Sequence, residues 1–477
     1  MTTKIIVLGA GPGGYVAAIR AAQLGADVTV IEQDNVGGTC LNWGCIPSKV
    51  MKTTAEILEN TQRAQEFGIK LSGEVRADMQ TVVARERKVI QDQRKQILKL
   101  FQSHKIRYIG GHGHIEDSNL VVVEGPGNKT FEVRWDKLIL ALGSQSFDIG
   151  SIPFDGKKVI SSNEALYMDY LPKSMLIVGG GVIGCEFAFI FSALGSRVTV
   201  VEMMPRLLPL PSVDEDCSKV LQREMKKRKI ASIVRRTIKS VEADGDKCLV
   251  TIGDAAGNEE LTNRDPASFT LEVEKVLVCV GRIPNTVHTG LRKLGVKTDD
   301  NGWIIANEKM ETNAFGVYAI GDVLGPSKIM LAHVASAEGR VAAENALGGS
   351  HILNYDLVPS AIFTMPEIAN VGLTEAQARQ QGYNVKSHCV LFRNLGKAQV
   401  MGEIAGQAKI VSDGDNGRIL GVHLIGPRAT DLIAEGTLAL KMGCTVRDLA
   451  ETIHAHPTLS EVMLETSLKA FESPVNR

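Results

Sequence analysis

The chain has almost no net charge. Its 53 lysines and arginines stand against 54 aspartates and glutamates, a formal charge of −1 over 477 residues. That balance excludes a broad electrostatic grip on nucleic acid or on an anionic membrane. Local runs exist, and Arg85 to Lys99 carries eight charges. There Val82, Val83, Val89, Ile90, Ile97, Leu100 and Phe101 recur at helical spacing, so the charges read as the wet face of an amphipathic helix. Cysteine is also sparse: eight residues in so long a chain do not make a disulfide scaffold. No second cysteine pair lies at zinc spacing, so no metal is expected. Long apolar stretches are confined to Met175–Gly195, where Glu186 is the single charge. A strand, a glycine cluster and a helix account for that stretch, so it reads as a buried βα unit rather than a membrane span. Met1-Thr2-Thr3-Lys4 leads straight into Ile5-Ile6-Val7-Leu8, leaving no room for a signal peptide, and a cytoplasmic protein is expected, a processed organellar form being the alternative.

Glycine is abundant instead. Its 47 residues are about one in ten, above the usual share of about 7%, and they cluster. Ile5–Leu8 runs into Gly9-Ala10-Gly11-Pro12-Gly13-Gly14, then a helix to about Leu24, then Val28–Ile31 ending in Glu32. Starting 170 residues later, Leu176–Val178 runs into Gly179-Gly180-Gly181-Val182-Ile183-Gly184, a helix to about Leu194, and Val198–Val201 ending in Glu202. In both copies the acid follows the first glycine by 23 positions. In this pattern the first glycine (Gly9, Gly179) makes a tight turn. The second (Gly11, Gly181) admits a pyrophosphate, and the third (Gly14, Gly184) lets helix pack on strand. The helix N-terminus holds phosphate and the acid binds an adenosine ribose. Two such units predict two bound dinucleotides. The carboxylate of Glu202 favours the 2′-hydroxyl of NAD over the 2′-phosphate of NADP, and Met203-Met204-Pro205-Arg206 offers one arginine rather than a pair.

Elsewhere the reading is coarser. Residues 51–103 look helical, and 106–142 alternate like strands. Residues 233–252 and 269–280 look like strands around a polar loop at 253–268. From about 350 the pattern becomes α+β, with strands near 385–391, 407–412 and 418–424 and helices near 430–442, 446–453 and 459–471.

Cys40 and Cys45 flank Leu41-Asn42-Trp43-Gly44 just after the first glycine unit. On an ideal helix they would be about 7.5 Å apart in rise and about 140° apart in direction, beyond the roughly 4.4–6.8 Å of a disulfide's Cα atoms. If they pair, the backbone is distorted there, and Gly44 eases it; so small a loop would serve redox chemistry rather than stability. Two free thiols or half of a metal site are the alternatives. Cys185, Cys217, Cys248, Cys279, Cys389 and Cys444 are scattered and read as reduced thiols, Cys185 as core packing.

Gly9–Gly14 with Glu32, Cys40–Cys45 with Ile46-Pro47-Ser48-Lys49, Gly179–Gly184, Gly281-Arg282-Ile283-Pro284-Asn285, Tyr318-Ala319-Ile320-Gly321-Asp322 and His454-Ala455-His456-Pro457-Thr458-Leu459-Ser460-Glu461 together carry a resemblance. From residue 4 to about 471 the chain resembles the disulfide-reductase flavoproteins, class I of the pyridine nucleotide-disulfide oxidoreductases. Its C-terminal motif is most similar to the branch that oxidises dihydrolipoyl groups on carrier proteins. The resemblance implies an α/β fold with two Rossmann-like dinucleotide-binding domains plus a C-terminal α+β dimerisation domain. The expected division is 1–150 for FAD, 151–275 for NAD, 276–347 completing the FAD site and 348–477 for the interface.

It also implies roles. Cys40 would exchange with the dithiol and Cys45 would pass electrons on as a thiolate, the two forming a redox disulfide. His456 would be the base, oriented by Glu461 and supplied by the partner subunit of a homodimer. Lys49 would pair with Glu186 near the flavin, Asp322 would bind its ribityl chain, and Gly143, Gly281, Arg282 and Ala332 would complete the cofactor contacts. The implied partner is a lipoyl-bearing acyltransferase of a 2-oxo acid dehydrogenase complex or a glycine cleavage carrier protein. Mercuric and large thioredoxin reductases carry extra C-terminal cysteines, absent from Glu472–Arg477, and glutathione reductase-like proteins prefer NADP. A redox-inactive complex subunit is opposed by the intact Cys40, Cys45, His456 and Glu461. Two departures stand out: Leu142-Gly143-Ser144 replaces the usual Thr-Gly-Ser, and Cys185 adjoins Glu186. His454 is assigned a structural role.

Overall fold

A computed structural model describes residues 2–255 and 268–471. Residues 256–267 of the expected polar loop lie outside the described residues.

The two glycine units fold alike. Strand Lys4–Leu8 lies between Asp27–Glu32 and Lys137–Leu140 in a five-stranded parallel sheet, with Arg107–Gly110 and Val317–Ala319 at the edges. Strand Ser174–Val178 lies between Arg197–Glu202 and Lys275–Val278, with Ala231–Val234 and Val159–Ile160 at the edges. Both central strands are near-continuous apolar runs buried on both faces, as parallel strands covered by helices require. Each unit also carries a three-stranded antiparallel sheet, at 112–134 and at 236–273. The expected boundary at 275 is crossed by Lys275–Val278, a strand of the second sheet. Met175–Gly195 resolves into strand Ser174–Val178 and the buried helix Val182–Leu194. Among the described residues, no helix is long and apolar enough to cross a membrane.

The C-terminal region is an antiparallel sheet in the order Ser360–Ile362, Glu367–Gly372, Ile419–Gly426, Gln407–Asp413, Val385–Leu391, covered by helices Ala429–Met442, Val446–Ala450 and Glu461–Phe471. Its predicted strands and helices fall within a few residues of the observed ones; Ser360–Ile362 and Glu367–Gly372 were not anticipated.

The expected single helical stretch at 51–103 is instead two helices, Cys45–Gln62 and Met79–Ser103. Between them a short 3₁₀ turn, Ala64–Phe67, ends on Gly68 with φ +76°, a left-handed backbone that glycine tolerates. Asp78 then restarts the helix by accepting the Gln80 N–H at 3.2 Å. In the second helix Val82, Val83, Ile90, Ile97 and Phe101 are buried, as their periodicity predicts, whereas Val89 is half-buried and Leu100 is exposed. Glu86 corrects the wet-face reading: it is fully buried, and neither carboxylate oxygen has a hydrogen-bond partner. Burial pushes its carboxyl up to about 8, so it is neutral at pH 7.

The second unit is tied to the C-terminal domain by a buried charge cluster. Lys409 Nζ lies 3.2 Å from Asp214, 2.9 Å from Asp216 and 2.9 Å from Glu375. Asp214 also caps helix Glu215–Lys227. Removing the ammonium would leave the buried Asp214 carboxylate unmatched, which typically costs roughly 3–5 kcal/mol. Lys409→Met should therefore lower the Tm by roughly 3–5 °C in a chain of this length; an unchanged melt would mean that the cluster adds nothing to stability.

Candidate active site

The two cradles share the same backbone plan at their first and third glycines. Gly9 and Gly179 have φ of +101° and +102°, and an added Cβ would meet Ala141 O at 2.2 Å and Cys279 O at 2.4 Å. At Gly14 and Gly184 a Cβ would lie 2.0 and 1.9 Å from the carbonyl oxygens of Gly9 and Gly179, so only glycine lets helix and strand approach. Gly11 and Gly181 differ: the nearest atom to a Cβ at Gly11 is 3.8 Å away, and at Gly181 nothing lies within 4 Å. These glycines front open space at the starts of helices Pro12–Gln23 and Val182–Leu194, where backbone N–H groups and the helix dipole favour phosphate.

Each terminal acid is held by two backbone N–H groups. Glu32 accepts from Ala10 at 2.7 Å and Asp34 at 2.9 Å; Glu202 accepts from Gly180 at 2.6 Å and Met204 at 2.7 Å. Every carboxylate oxygen keeps a lone pair for a ribose hydroxyl. Burial raises the Glu32 carboxyl, and the N–H groups that bond it work in the opposite direction. Arg206, the one arginine after Glu202, is occupied within its own loop: its guanidinium donates to Leu208 O, Leu210 O, Val213 O and Ser218 Oγ at 2.6–3.1 Å. No 2′-phosphate contact is prepared there, and the residues fit two dinucleotides without it.

A third cluster joins distant segments beside the first cradle. Arg282 donates to Ser144 Oγ and Ser144 O, both at 2.7 Å, and Ser144 Oγ donates to Asp322 at 2.8 Å. Gly143 has φ +69°, and its neighbour Leu142, the departure noted above, offers its carbonyl to Asn285 Nδ2 at 3.0 Å. Gly281 has φ +138° and precedes strand Arg282–Pro284. Gly321 N–H is held by Glu338 at 2.6 Å, and Tyr355 donates to the other Glu338 oxygen at 2.6 Å. Ala332 opens helix Ala332–Ala346, whose N-cap Leu331 offers no side-chain acceptor, so first-turn N–H groups remain for a ligand.

Cys40 lies in helix Gly38–Trp43 and Cys45 opens helix Cys45–Gln62. The break predicted at Gly44 is present, with φ −154° and ψ −109°, and a Cβ there would come within 3.1 Å of Thr39 O. Asn42, between the cysteines, is buried and was missed in the sequence. Its amide donates to Val36 O and Gly38 O at 3.2 and 2.8 Å, its side-chain oxygen accepts from Arg94 at 2.7 Å, and its carbonyl accepts from Tyr167 at 2.6 Å. An asparagine enclosed by a cysteine pair was the available signal.

Cys40 and Cys45 are free thiols close enough for each to shift the other's ionisation. Donation from Cys40 pulls the Cys45 thiol down to about 7, with the Lys49 ammonium assisting against burial and Glu186. The same bond, with burial, holds the Cys40 proton far above the ordinary range. Lys49 lies 2.8 Å from Glu186, the pairing expected. Cys185 donates to Gly180 O at 3.3 Å from a fully buried site, and burial raises its thiol, a placement in keeping with core packing.

His456 and Glu461 form a separate pair. His456 Nδ1 is 2.8 Å from Glu461 Oε1, and Thr458 N–H donates to Oε2 at 2.9 Å. Burial works against charge on Glu461, but the Thr458 N–H and the imidazole prevail and keep its carboxyl below the ordinary value. His456 leaves 73% of its side chain exposed, and among the described residues neither member bonds to the cysteine cluster. His454 is anchored by Glu435 at 2.8 Å and Thr452 O at 2.9 Å with 5% of its side chain exposed, a structural placement. Among the described residues no three His, Cys, Asp or Glu side chains are grouped to hold a metal.

A dithiol poised for ionisation, between one cradle for a dinucleotide and a second for another, defines an oxidoreductase that exchanges an electron pair between thiols and a nucleotide. The chain belongs to the pyridine nucleotide-disulphide oxidoreductase family, whose model matches residues 3–339, with the family's dimerisation domain over 358–467. FAD and NAD(H) are the cofactors of this flavoprotein enzyme class. The chain is 41% identical over 473 residues to dihydrolipoyl dehydrogenase of Chlamydia muridarum, covering 99% of this chain and 97% of that one. It is 40% identical to dihydrolipoyl dehydrogenase of Bacillus subtilis, covering 98% and 97%. Among solved structures it is similar to LpdA of Mycobacterium tuberculosis, with a TM-score of 0.89 and 28% identity over 98% of this chain and 100% of that one.

In the reduced protein, alkylation by iodoacetamide should rise with pH about a midpoint near 7, because the thiolate is the nucleophile and dominates above that value. Cys40→Ala removes the donor, and the midpoint should move up toward about 8.5. A wild-type midpoint already at that ordinary value would refute the assigned ionisation.

Proposed function

We propose that this chain is a dihydrolipoyl dehydrogenase: it oxidises protein-bound dihydrolipoamide through a Cys40–Cys45 redox disulfide and FAD and reduces NAD+ to NADH. The observation that carries this reading is the hydrogen-bonded Cys40–Cys45 pair with Lys49–Glu186 beside it.

In the oxidised enzyme a substrate thiolate attacks Cys40 Sγ. The Cys40–Cys45 bond breaks, a mixed disulfide forms, and Cys45 leaves as a thiolate. The second substrate thiolate then attacks its own partner sulfur in the mixed disulfide, closing the lipoyl ring and releasing Cys40. Two electrons have passed to the cysteine pair; of the two substrate protons, one ends on the released Cys40 and the other needs a base. His456 takes a substrate proton, and Glu461 fixes the Nδ1–H tautomer so that Nε2 faces the substrate. Lys49 favours the Cys45 thiolate left behind. Bound FAD supplies the two-electron chemistry that links the dithiol to NAD+. Gly9, Gly11, Gly14 and Glu32, with Gly143, Gly281, Arg282, Asp322 and Ala332, would hold it; Gly179, Gly181, Gly184 and Glu202 would hold NAD.

The exposure of His456 and its separation from the cysteines of its own chain support a homodimer in which it serves the partner's cysteines. Residues 1–150, 151–275, 276–347 and 348–477 would then be the FAD, NAD, central and interface regions. The lipoyl group would come from an acyltransferase of a 2-oxo acid dehydrogenase complex or from a glycine cleavage carrier protein, in the cytoplasm, where the six cysteines outside the redox pair would stay reduced. Relatives carrying the dihydrolipoyl dehydrogenase name along almost the whole chain support this choice over a glutathione- or mercuric-reductase activity.

Purified protein should reduce NAD+ with dihydrolipoamide, and not NADP+ with reduced glutathione. Cys45→Ser should keep its flavin and lose turnover, whereas His456→Gln should lose roughly 10²–10⁴-fold in kcat. Turnover undiminished in Cys45→Ser would sink the redox assignment.

A further inference from the structure

Phe363 lies outside both glycine units, in the segment after strand Ser360–Ile362, yet it meets both ends of the ion pair beside the dithiol. Its backbone N–H donates to Glu186 Oε1 at 2.9 Å, and Lys49 Nζ stands 4.1 Å from the centre of its ring. Lys49 closes the triangle on Glu186 Oε2 at 2.8 Å. The residue itself is held firmly. Ile362 and Thr364 on either side are fully buried, and Thr364 Oγ1 donates to Pro366 O at 2.6 Å. Lys52, one turn along, has its ammonium fixed elsewhere, 2.8 Å from Glu367 and 2.5 Å from Glu56, so Lys49 is the cation the ring engages closely.

Such a clamp matters because the two charges oppose each other at the dithiol. Lys49 stabilises a thiolate at Cys45 and Glu186 destabilises it. The net field is a difference between two terms, so a small displacement of either charge changes it. Glu186 is anchored by the Phe363 N–H, but Lys49 carries a four-carbon stem and is 29% exposed. An ammonium over the negative face of an aromatic ring is attracted to it and partly shielded from water.

We propose that Phe363 is a positioning residue of the redox site: its N–H and its ring fix the Glu186 carboxylate and the Lys49 ammonium relative to one another, and so set the field at Cys45. The inference rests on the reading of Cys40 and Cys45 as the reactive dithiol. Asp322 and Tyr15 face Cys40, and Arg282 faces Cys45; substitution of Phe363 leaves those groups in place.

The test is the pH profile of iodoacetamide inactivation of the reduced holoenzyme, with the alkylated cysteine identified by mass spectrometry. The midpoint belongs to the coupled dithiol. Phe363→Leu keeps the N–H and removes the ring, and should raise the midpoint by about half a unit, the size expected of a lost cation–π contact. Phe363→Tyr keeps the ring face and should match the wild type. Tetrafluorophenylalanine at position 363 preserves the shape but drains the ring face; it should shift the midpoint as leucine does, even if the leucine variant fails to hold flavin. A fluorinated protein with the wild-type midpoint would overturn the proposal, as would Phe363→Tyr shifting as far as Phe363→Leu. No lipoyl substrate enters this measurement, so a failure of dihydrolipoamide turnover and a failure of the clamp are separate results.

Discussion

Two sulfurs five residues apart can meet only where the helix between them breaks, and much of the site follows from how this chain manages that break. Gly44 supplies it, where a Cβ would crowd the carbonyl of Thr39 at 3.1 Å. Asn42, between the cysteines, ties this short helix to the segment before it through the Val36 and Gly38 carbonyls, while Arg94 and Tyr167 hold it in turn. The break also makes Cys45 the first residue of an 18-residue helix, where the peptide dipoles favour negative charge. One backbone event therefore brings the thiols into hydrogen-bond contact and tips the ionisation toward the second of them.

Around this point the chain uses one device twice. A buried carboxylate at the end of the second strand takes the N–H inside the glycine loop and the N–H two residues beyond itself, at Glu32 and again at Glu202. The copies differ where packing differs. Ala10 sits where the second copy needs Gly180, because a Cβ there would come within 2.7 Å of Leu207 and 3.1 Å of the Glu202 side chain.

What could be read from the sequence is what lies close along the chain or repeats. The glycine loops, both terminal acids and the Gly44 break are local, so spacing carries them; the His456–Glu461 pair is local too, but its role came from the family resemblance. The two nucleotide-binding units followed from the repeated glycine motif, and the full plan with its α+β dimerisation end from the family resemblance. Contacts between distant segments were hidden: Asn42 with Arg94, Glu338 with Gly321 and Tyr355, and Phe363 with Glu186 join residues whose types alone carry no periodic signal. Glu86 misled for a related reason. Polarity patterns assign a charged residue to water, and only the packing of neighbouring helices reveals that this one is enclosed.

The cluster around Lys409 bears on how separable the parts are. Two of its carboxylates come from the second nucleotide-binding unit, while the ammonium and Glu375 come from the C-terminal domain. Grafting that unit from a relative to change coenzyme preference would thus transplant half of a buried charge set. The modules of this enzyme can be exchanged only along with the residues that neutralise them across the seam.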